Sequence, residues 1–293
     1  MSREFDYSSM SLAFSPATVS SLASRDTVVP GAALATLANL VESNEHATLA
    51  DAFERAYAVL LKSYRNEYVY KNVLVSKIVF GRHSPRTASA LLELPVGSSI
   101  ADLLVLNGTS SVYEIKTDLD NLDRLKSQVA DYLTCFENVN VVSSLSRIDA
   151  VERIVPRRVG LIAIRNSGAL STVRPSIPGL EGIRLDRLFE VLRRAEVIEV
   201  LRNTIGYELD VPPGDVWRRT KALFTALPVS QAHSEALLQL RARGLRSSVL
   251  ASDPALPHSL RAAAYSASLG PAPAGRLKAR LRMRATQIGA ISE

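Results

Sequence analysis

The chain has 293 residues, of which 47% are hydrophobic and 22% are charged, proportions typical of a globular protein and not of a disordered one. No apolar run approaches the roughly 20 residues that a helix needs to cross a bilayer. The N-terminus lacks the basic-then-apolar order of a secretory signal. A single cysteine, Cys135, excludes an internal disulfide and a multi-cysteine zinc site. We therefore expect a cytoplasmic protein without a membrane span.

The net charge of +6 is concentrated near the C-terminus. Residues 276–284 (RLKARLRMR) contain five basic residues and no acidic one, so the rest of the chain has a net charge of only +1 (6 − 5 = +1). We predict that this segment contacts nucleic acid, because Arg276, Arg280 and Arg284 would share one side of a helix. A solvated tail and a contact with an anionic membrane are the alternatives. The five cations are Arg276, Lys278, Arg280, Arg282 and Arg284.

The predicted elements change from helical to strand-like along the first half of the chain. Residues 1–30 are rich in Ser, Ala and Thr, which predicts a loosely ordered lead-in that extends to about residue 45. Helical periodicity begins near Ala50 and continues in pieces to about Val79. Strands are predicted at 90–96, 100–107, 112–116, 139–143 and 159–164, with an amphipathic helix at 119–136 and a short helical piece at 148–154.

From Leu185 onward the pattern is helical, with helices predicted at 185–202, 214–226 and 229–243. The sequence thus predicts an α/β protein with a mixed sheet flanked by helices and a mainly helical C-terminal extension. The predicted domains are the lead-in (1–45), a core (46–170), a helical extension (171–248), and a Pro/Ala/Ser-rich linker with the basic tail (249–293).

The segment 100–116 is predicted to be a hairpin that brings ionisable side chains together. Residues two apart on a strand face the same side, so Glu114 and Lys116 share a face. The stretch after residue 106 has turn chemistry, with Asn-Gly at its head. With an odd-length connection centred near Thr109, Asp102 would lie opposite Lys116 and on that same face. Leu104 would then lie opposite Glu114.

Two carboxylates on rigid strands offer the hard oxygen ligands that Mg²⁺ or Mn²⁺ prefers. Lys116 would then position an attacking water or stabilise charge on a phosphoryl group. The backbone carbonyl of Ile115 is a further candidate ligand, and Glu93 is a weaker substitute. The alternative is an ordinary cluster of charged side chains on a solvated strand face, and the spacing alone does not decide between the two.

Four short motifs occur in the order RNEY (65–68), IAD (100–102), EIK (114–116) and QVADY (128–132). Together they resemble the motifs of the PD-(D/E)XK nuclease superfamily. The sequence of residues 60–165 is similar to the sequences of an uncharacterised group of bacterial and phage proteins assigned to that superfamily. Ala101 stands where the motif often has proline.

The resemblance implies a restriction-endonuclease-like core with Asp102 and Glu114 as metal ligands and Lys116 as the catalytic lysine. It implies that Glu67 completes the metal site from the first helix. It also implies that Gln128 and Tyr132, which share a helix face, border the reacting groups.

Some of these residues have simpler interpretations. Glu67 is four residues before Lys71, the spacing of an ordinary helix ion pair. Arg82 and His83 follow Gly81 in a predicted loop, where they would contact DNA phosphates or simply be solvated. A late helix with Trp217 among basic residues is a weaker candidate for the same partner.

We therefore expect a Mg²⁺- or Mn²⁺-dependent nuclease that acts on DNA more than on RNA. A role in phage defence or in a mobile element rests on the resemblance alone. Because the superfamily contains members that have lost activity, the first alternative is an inactive nuclease-fold protein that binds DNA or regulates. The second is a protein-interaction module formed by the C-terminal helices.

Overall fold

The computed structural model describes residues 6–25, 31–284 and 287, and the chain divides into two compact units. The first unit combines residues 1–85, 166–169 and 246–293, and the second combines 86–165 and 170–245. The first unit is thus built from both ends of the chain. This division differs from the predicted boundaries after residues 45, 170 and 248, which followed chain order.

The described residues form thirteen α-helices. None of them combines the length and the apolar character that a bilayer crossing requires. A π-helical segment, Val75–Arg82, continues α5. In chain order the α-helices are α1 (Tyr7–Ala13), α2 (Pro16–Ala23), α3 (Gly31–Val41), α4 (Leu49–Ser63), α5 (Glu67–Leu74), α6 (Leu125–Leu133), α7 (Ile148–Glu152), α8 (Leu185–Val191), α9 (Arg194–Ile205), α10 (Val216–Thr225), α11 (Val229–Ala251), α12 (Arg261–Ala267) and α13 (Pro271–Leu281).

The second unit contains a six-stranded mixed sheet, which confirms the predicted α/β class. Its strands lie in chain order across the sheet. The first three pair antiparallel, the third to fifth pair parallel, and the sixth is antiparallel to the fifth. The strands are β1 (Ser89–Val96), β2 (Ser99–Leu106), β3 (Ser110–Lys116), β4 (Asn138–Ser144), β5 (Gly160–Ile164) and β6 (Leu170–Arg174).

Strand β6 is an addition to the five predicted strands. It is short, and its residues are exposed or half-buried, so it lacks the apolar run that marks β4 and β5. It pairs with β5 through an irregular register. Pairing at a sheet edge thus forms it without a strong local pattern.

One face of the sheet packs against α6, α8, α9, α10 and the first part of α11. Val112, Val141 and Leu161 come from the sheet, and Val129 and Phe136 come from the segment that contains α6. These side chains are buried. This core fixes α6 over β3, which is the arrangement that positions the candidate site.

The predicted lead-in is wrong, because α1, α2 and α3 occupy most of residues 7–41. The Asp6 carboxylate accepts hydrogen bonds from the backbone N–H groups of Ser8 and Ser9 at the start of α1, each at 3.1 Å. The Ser15 hydroxyl accepts one from Thr18 N–H at 3.1 Å at the start of α2. Short capped helices explain the Ser-rich composition that suggested disorder.

The predicted linker is also wrong over residues 258–281, which form α12 and α13 after a short 3₁₀ turn. Tyr68 donates a hydrogen bond to the carbonyl of Ser259 at 2.6 Å. The Asn72 side chain accepts from the N–H of Ala262 at 3.0 Å. Contacts from α5 therefore order an Ala-rich segment whose own pattern is weak.

Three predicted helix bounds change for local reasons. Helix α6 begins at Leu125 and not near 119, because the Asp120 carboxylate accepts from the N–H of Thr117 at 2.6 Å and holds a turn. The predicted helix 185–202 is divided into α8 and α9, with the Glu196 carboxylate accepting from the N–H of Arg193 at 2.8 Å. Helix α11 continues through Gly244 to Ala251.

Candidate active site

The β2–β3 hairpin has a different register from the predicted one. A three-residue connection, 107–109, separates β2 from β3, and Gly108 takes a positive φ of 75°. Leu104 therefore lies opposite Val112, and Leu103 lies opposite Tyr113. The connection has the predicted odd length but is centred on residue 108, so the expected pairs Leu104–Glu114 and Asp102–Lys116 are wrong.

Asp102 lies where the ladder between β2 and β3 stops. The last registered pair on that side is Leu103 with Tyr113. The Asp102 carboxylate oxygen Oδ2 instead accepts a hydrogen bond from the backbone N–H of Ile115 at 2.7 Å. Its carboxylate is thereby held beside the peptide unit that joins Glu114 to Ile115, next to the residues of the EIK motif.

On its other side, Asp102 lies at an interruption of the β1–β2 ladder. Leu92 pairs with Leu103 and Leu94 pairs with Ala101, but the register contains no pair at Glu93 and Asp102. Glu93 has a φ of 54°, a left-handed conformation that few residues other than glycine adopt. The registered ladder pairs are therefore interrupted on both sides of Asp102.

Glu114 is the centre of a buried polar cluster. Glu114 is only 1% exposed. Lys116 Nζ donates to Glu114 Oε1 at 2.7 Å, and the Tyr132 hydroxyl lies 2.7 Å from Glu114 Oε2. The same hydroxyl lies 2.8 Å from the carbonyl oxygen of Ile100. The structure thus brings Glu114, Lys116 and Tyr132 together, with Asp102 attached through the Ile115 amide.

The environment of Tyr132 favours its neutral form. Burial raises the pKa of Tyr132 far above its usual range, and the neighbouring Glu114 carboxylate raises this pKa further. The phenol therefore acts here as a neutral hydrogen-bonding group at ordinary pH.

Gln128 lies one turn before Tyr132 on α6 and is 9% exposed. Its side-chain oxygen Oε1 is buried and has no hydrogen-bond partner in the described part of the protein. Leaving a buried acceptor unsatisfied costs about 1–3 kcal/mol. Such a group is suited to accept a hydrogen bond from a water or a ligand that enters the site.

Asp131 is a residue of this site that the sequence did not reveal. Its carboxylate oxygen Oδ2 accepts hydrogen bonds from the N–H of Ser98 at 3.2 Å and from the hydroxyls of Ser98 and Ser99 at 2.9 and 2.7 Å. Ser98 lies in the turn between β1 and β2, and Ser99 begins β2. Asp131 thus contacts Ser98 and Ser99, and Tyr132 contacts the carbonyl of Ile100. Helix α6 therefore holds the segment that leads to Asp102. No sequence spacing links residue 98 to residue 131.

Gly97 allows this close contact. A Cβ atom at Gly97 would lie 2.9 Å from Asp131 Oδ1, and the residue has a φ of 61°. Both the conformation and the space therefore require glycine at this position.

The donors at the site suit a hard divalent cation held by few protein ligands. The Asp102 and Glu114 carboxylates, with the Ile115 carbonyl between the EIK side chains, are oxygen donors of the type that Mg²⁺ takes. Among residues 6–25, 31–284 and 287, no group of three or more His, Cys, Asp or Glu side chains is arranged to hold a metal. A Mg²⁺ ion here would be held by these few protein oxygens and would take its other ligands from water and substrate, as is usual when one or two carboxylates bind it.

Glu67 belongs to the first unit, whereas the polar cluster lies in the second. It is the first residue of α5, and its carboxylate pairs with Lys71 Nζ at 2.5 Å, the helix ion pair that its spacing suggested. Its assignment as a metal ligand stays a prediction.

Arg82 and His83 also belong to the first unit, where Arg82 ends the π-helical segment. Arg82 is exposed and His83 is half-buried. Burial lowers the pKa of His83, and the adjacent Arg82 lowers this pKa further. Their contact with DNA stays a prediction.

The cations of the C-terminal segment are partly used within the first unit. Arg276 Nε donates to the carbonyl of Ala23 at 2.7 Å, and Arg280 Nη1 donates to that of Leu22 at 2.6 Å. These bonds cap the C-terminal end of α2. Lys278 pairs with Asp253 at 2.7 Å.

The predicted alignment of Arg276, Arg280 and Arg284 on one helix is wrong for Arg284, because α13 ends at Leu281. Arg282 and Arg284 are exposed. A contact between this segment and nucleic acid stays a prediction, and these two arginines are the members best placed to make it.

Comparison with known proteins gives one curated relative, protein cII of Enterobacteria phage P4. It is 29% identical over 105 residues, which is 35% of this chain and 36% of the phage protein. The chain thus matches little more than a third of that relative's length. No solved structure matches the chain significantly.

The family model described as bacteriophage P4 protein cII matches residues 61–252. This range contains all four sequence motifs, the whole mixed sheet and helices α5 to α11. Since the match covers well over half of the 293 residues, the chain belongs to the bacteriophage P4 protein cII family.

Proposed function

We propose that this chain is a Mg²⁺-dependent nuclease that hydrolyses phosphodiester bonds, in DNA more than in RNA. The observation that carries the proposal is the convergence of Asp102, Glu114 and Lys116 around one peptide unit. Asp102 Oδ2 is bonded to Ile115 N–H at 2.7 Å, and Lys116 Nζ is bonded to Glu114 Oε1 at 2.7 Å. These residues come from adjacent strands, which gives the cluster a rigid base.

In this proposal Asp102 and Glu114 hold the metal, and the Ile115 carbonyl is a further donor. When bound, Mg²⁺ supplies positive charge that stabilises the charge developing on the phosphoryl oxygens. A water oxygen forms a bond to phosphorus as the bond to one ester oxygen breaks; the water gives up a proton, and the departing ester oxygen takes up a proton and leaves as a hydroxyl group. Lys116 stabilises the charge on the phosphoryl group from within the buried cluster, where the low dielectric strengthens its effect.

Tyr132 and Gln128 support this chemistry from α6. The Tyr132 hydroxyl holds one oxygen of Glu114 and so orients that carboxylate. The unpartnered Oε1 of Gln128 is an acceptor for the attacking water. The source of the relative in Enterobacteria phage P4 supports a setting in phage or mobile-element biology.

One observation favours a second candidate, a nuclease-fold protein that binds DNA or regulates without cutting. Glu114 is only 1% exposed and both of its oxygens are engaged by protein groups. A cation would have to compete with Lys116 for that carboxylate. A protein of this kind would bind DNA and show no metal-dependent cleavage.

The test is cleavage of plasmid, linear DNA and RNA with Mg²⁺, Mn²⁺ or EDTA, using wild type, Asp102→Ala and Lys116→Ala. The matched control is Lys126→Ala, since Lys126 is exposed on α6. We expect both site variants to lose at least about 100-fold in rate, and the control to retain it. Metal-dependent cutting that both site variants retain refutes the assignment, and DNA binding without cutting supports the second candidate.

A further inference from the structure

A cavity of about 260 Å³ lies between α8, α9 and α10 in the second unit, and we name it the α8–α10 groove. Its lining is mainly apolar, and its floor is buried. The apolar lining residues are Phe189, Leu192, Val197, Pro213, Val216 and Trp217.

Trp217 forms one wall of this groove and is 61% exposed. It is the only tryptophan in the chain. Its ring meets Phe189 edge-on, with ring centroids 5.8 Å apart, so it is held on α10 by a buried aromatic neighbour. Large aromatic side chains that are rigid yet exposed are typical centres of protein interfaces.

The size of the groove indicates what it can take. Pockets for drug-sized ligands usually measure about 300–1,000 Å³. The α8–α10 groove lies below that range. It has room for one or two side chains of another protein, which fits an anchor inserted by a partner segment better than a separate small molecule.

The charges around the groove favour an acidic partner. Glu190 lines it and is already paired with Lys221 at 3.2 Å and with Arg187 at 3.6 Å. Arg194 also lines it, is exposed, and has no ion pair with any described residue. The one lining carboxylate is thus already paired with cations, whereas the lining cation Arg194 is not paired with a described residue, so a partner carboxylate near Arg194 would gain attraction.

The same surface is poorly suited to single-stranded nucleic acid, which needs open aromatic faces and free cations. Lys221 Nζ lies 4.7 Å above the Trp217 ring and covers one face. On the same helix, Arg218 pairs with Asp215 at 2.8 Å. The cations beside Trp217 on α10 are therefore already engaged, and a phosphate backbone there would have to displace their partners.

We propose that the α8–α10 groove docks a segment of a partner protein, which inserts an aromatic or long aliphatic side chain beside Trp217 and places a carboxylate against Arg194. The proposal is independent of nuclease activity, because none of its residues belongs to the polar cluster around Glu114.

The experiment is selection of random peptides displayed on phage against the immobilised full chain. Each selected peptide is then synthesised, and its binding is measured by Trp217 emission and by anisotropy of a labelled peptide. We expect enriched peptides to combine an aromatic or large aliphatic residue with Asp or Glu. Arg194→Ala and Trp217→Ala should each weaken binding at least about tenfold, a loss of about 1.4 kcal/mol.

The matched controls are Arg218→Ala, which removes an exposed cation of α10 outside the groove lining, and Arg194→Lys, which should retain most of the affinity. Thermal unfolding checks that each variant is folded. The proposal is overturned if no peptide is enriched, if enriched peptides lack acidic residues, or if binding is insensitive to both groove variants. It is also overturned if oligo-dT displaces the peptides from the groove, or if the groove variants abolish a dimer of the free chain.

Discussion

Replacing Tyr132 by phenylalanine removes one oxygen from the centre of the candidate site and changes little else. The ring is fully buried, so the apolar packing against the sheet is retained. The hydroxyl lies 2.7 Å from Glu114 Oε2 and 2.8 Å from the carbonyl oxygen of Ile100. The variant therefore leaves two acceptors without this partner, one of them on a carboxylate that is 1% exposed.

The expected loss follows from the cost of an unsatisfied buried group. Removing one partner of a buried hydrogen bond costs about 1–3 kcal/mol, with the higher part of that range for charged groups. We expect Tyr132→Phe to lower the free energy of unfolding of the second unit by about 2 kcal/mol. If the chain cuts DNA, cleavage should fall as well, since Glu114 loses the group that orients it.

Tyr265 provides a matched control. It is also buried, but its hydroxyl has no hydrogen-bond partner among the described residues. Tyr265→Phe removes an unsatisfied polar atom and should leave stability unchanged or slightly raised. Urea unfolding is followed by circular dichroism for both variants, and by Trp217 emission for the second unit, where Tyr132 and the sole tryptophan lie. Equal effects of the two substitutions would refute the reasoning about the Tyr132 hydroxyl.

Three further predictions test other contacts of the second unit. Asp131→Ala should cost about 2 kcal/mol and speed hydrogen exchange at the β1–β2 turn, whereas Asp131→Asn should cost less; unchanged exchange in Asp131→Ala would contradict the proposed contact. Gly244→Ala should lower the free energy of unfolding in urea by about 1 kcal/mol despite the better helix propensity of alanine, because a Cβ at residue 244 would lie 2.7 Å from the carbonyl oxygen of Ala90. The control Gly275→Ala should stabilise, since a Cβ there would have nothing within 4 Å. Burial lowers the pKa of His233 below 6.5, so the free energy of unfolding measured in urea should fall as pH drops below that value. His233→Gln should reduce this dependence on pH, and an unchanged dependence would show that other groups titrate.

The sign of the histidine effect follows from proton binding. Because its pKa is lower in the fold, the unfolded chain binds more protons between the two pKa values. The contribution of His233 to stability is fully present above its pKa in the unfolded chain, about 6.5. This contribution is lost as pH falls towards the lower pKa of His233 in the folded protein. The nearby Glu137 carboxylate opposes this shift but is the smaller effect.

Local patterns in the sequence predicted most of the mixed sheet because its strands are apolar runs separated by clear turn residues. The spacing of Glu114 and Lys116 placed these two side chains on one face, where they are in contact. The register across the hairpin could not be predicted to the residue, since shifting the centre of the connection from 109 to 108 changes every pair by two.

Other features depend on contacts between distant parts of the chain. The carboxylate of Asp131 is separated from Ser98 by 33 residues, and periodicity carries no information about such a bond. The cations of the C-terminal segment formed an unusual cluster in the sequence, yet Arg276 and Arg280 bind carbonyls at the end of α2. In both cases tertiary contacts determine what a polar residue does.

The composition of the first unit has a consequence for how the chain folds during synthesis. Residues 1–85 leave the ribosome long before residues 246–293, which complete the same unit. The hydrogen bond from Arg280 to Leu22 spans 258 residues. Helix α2 therefore lacks its capping groups until after all residues of the second unit have been synthesised. We expect the N-terminal helices to be the part of the nascent chain most exposed to proteases and chaperones, and closure of this long loop to be a late step of folding.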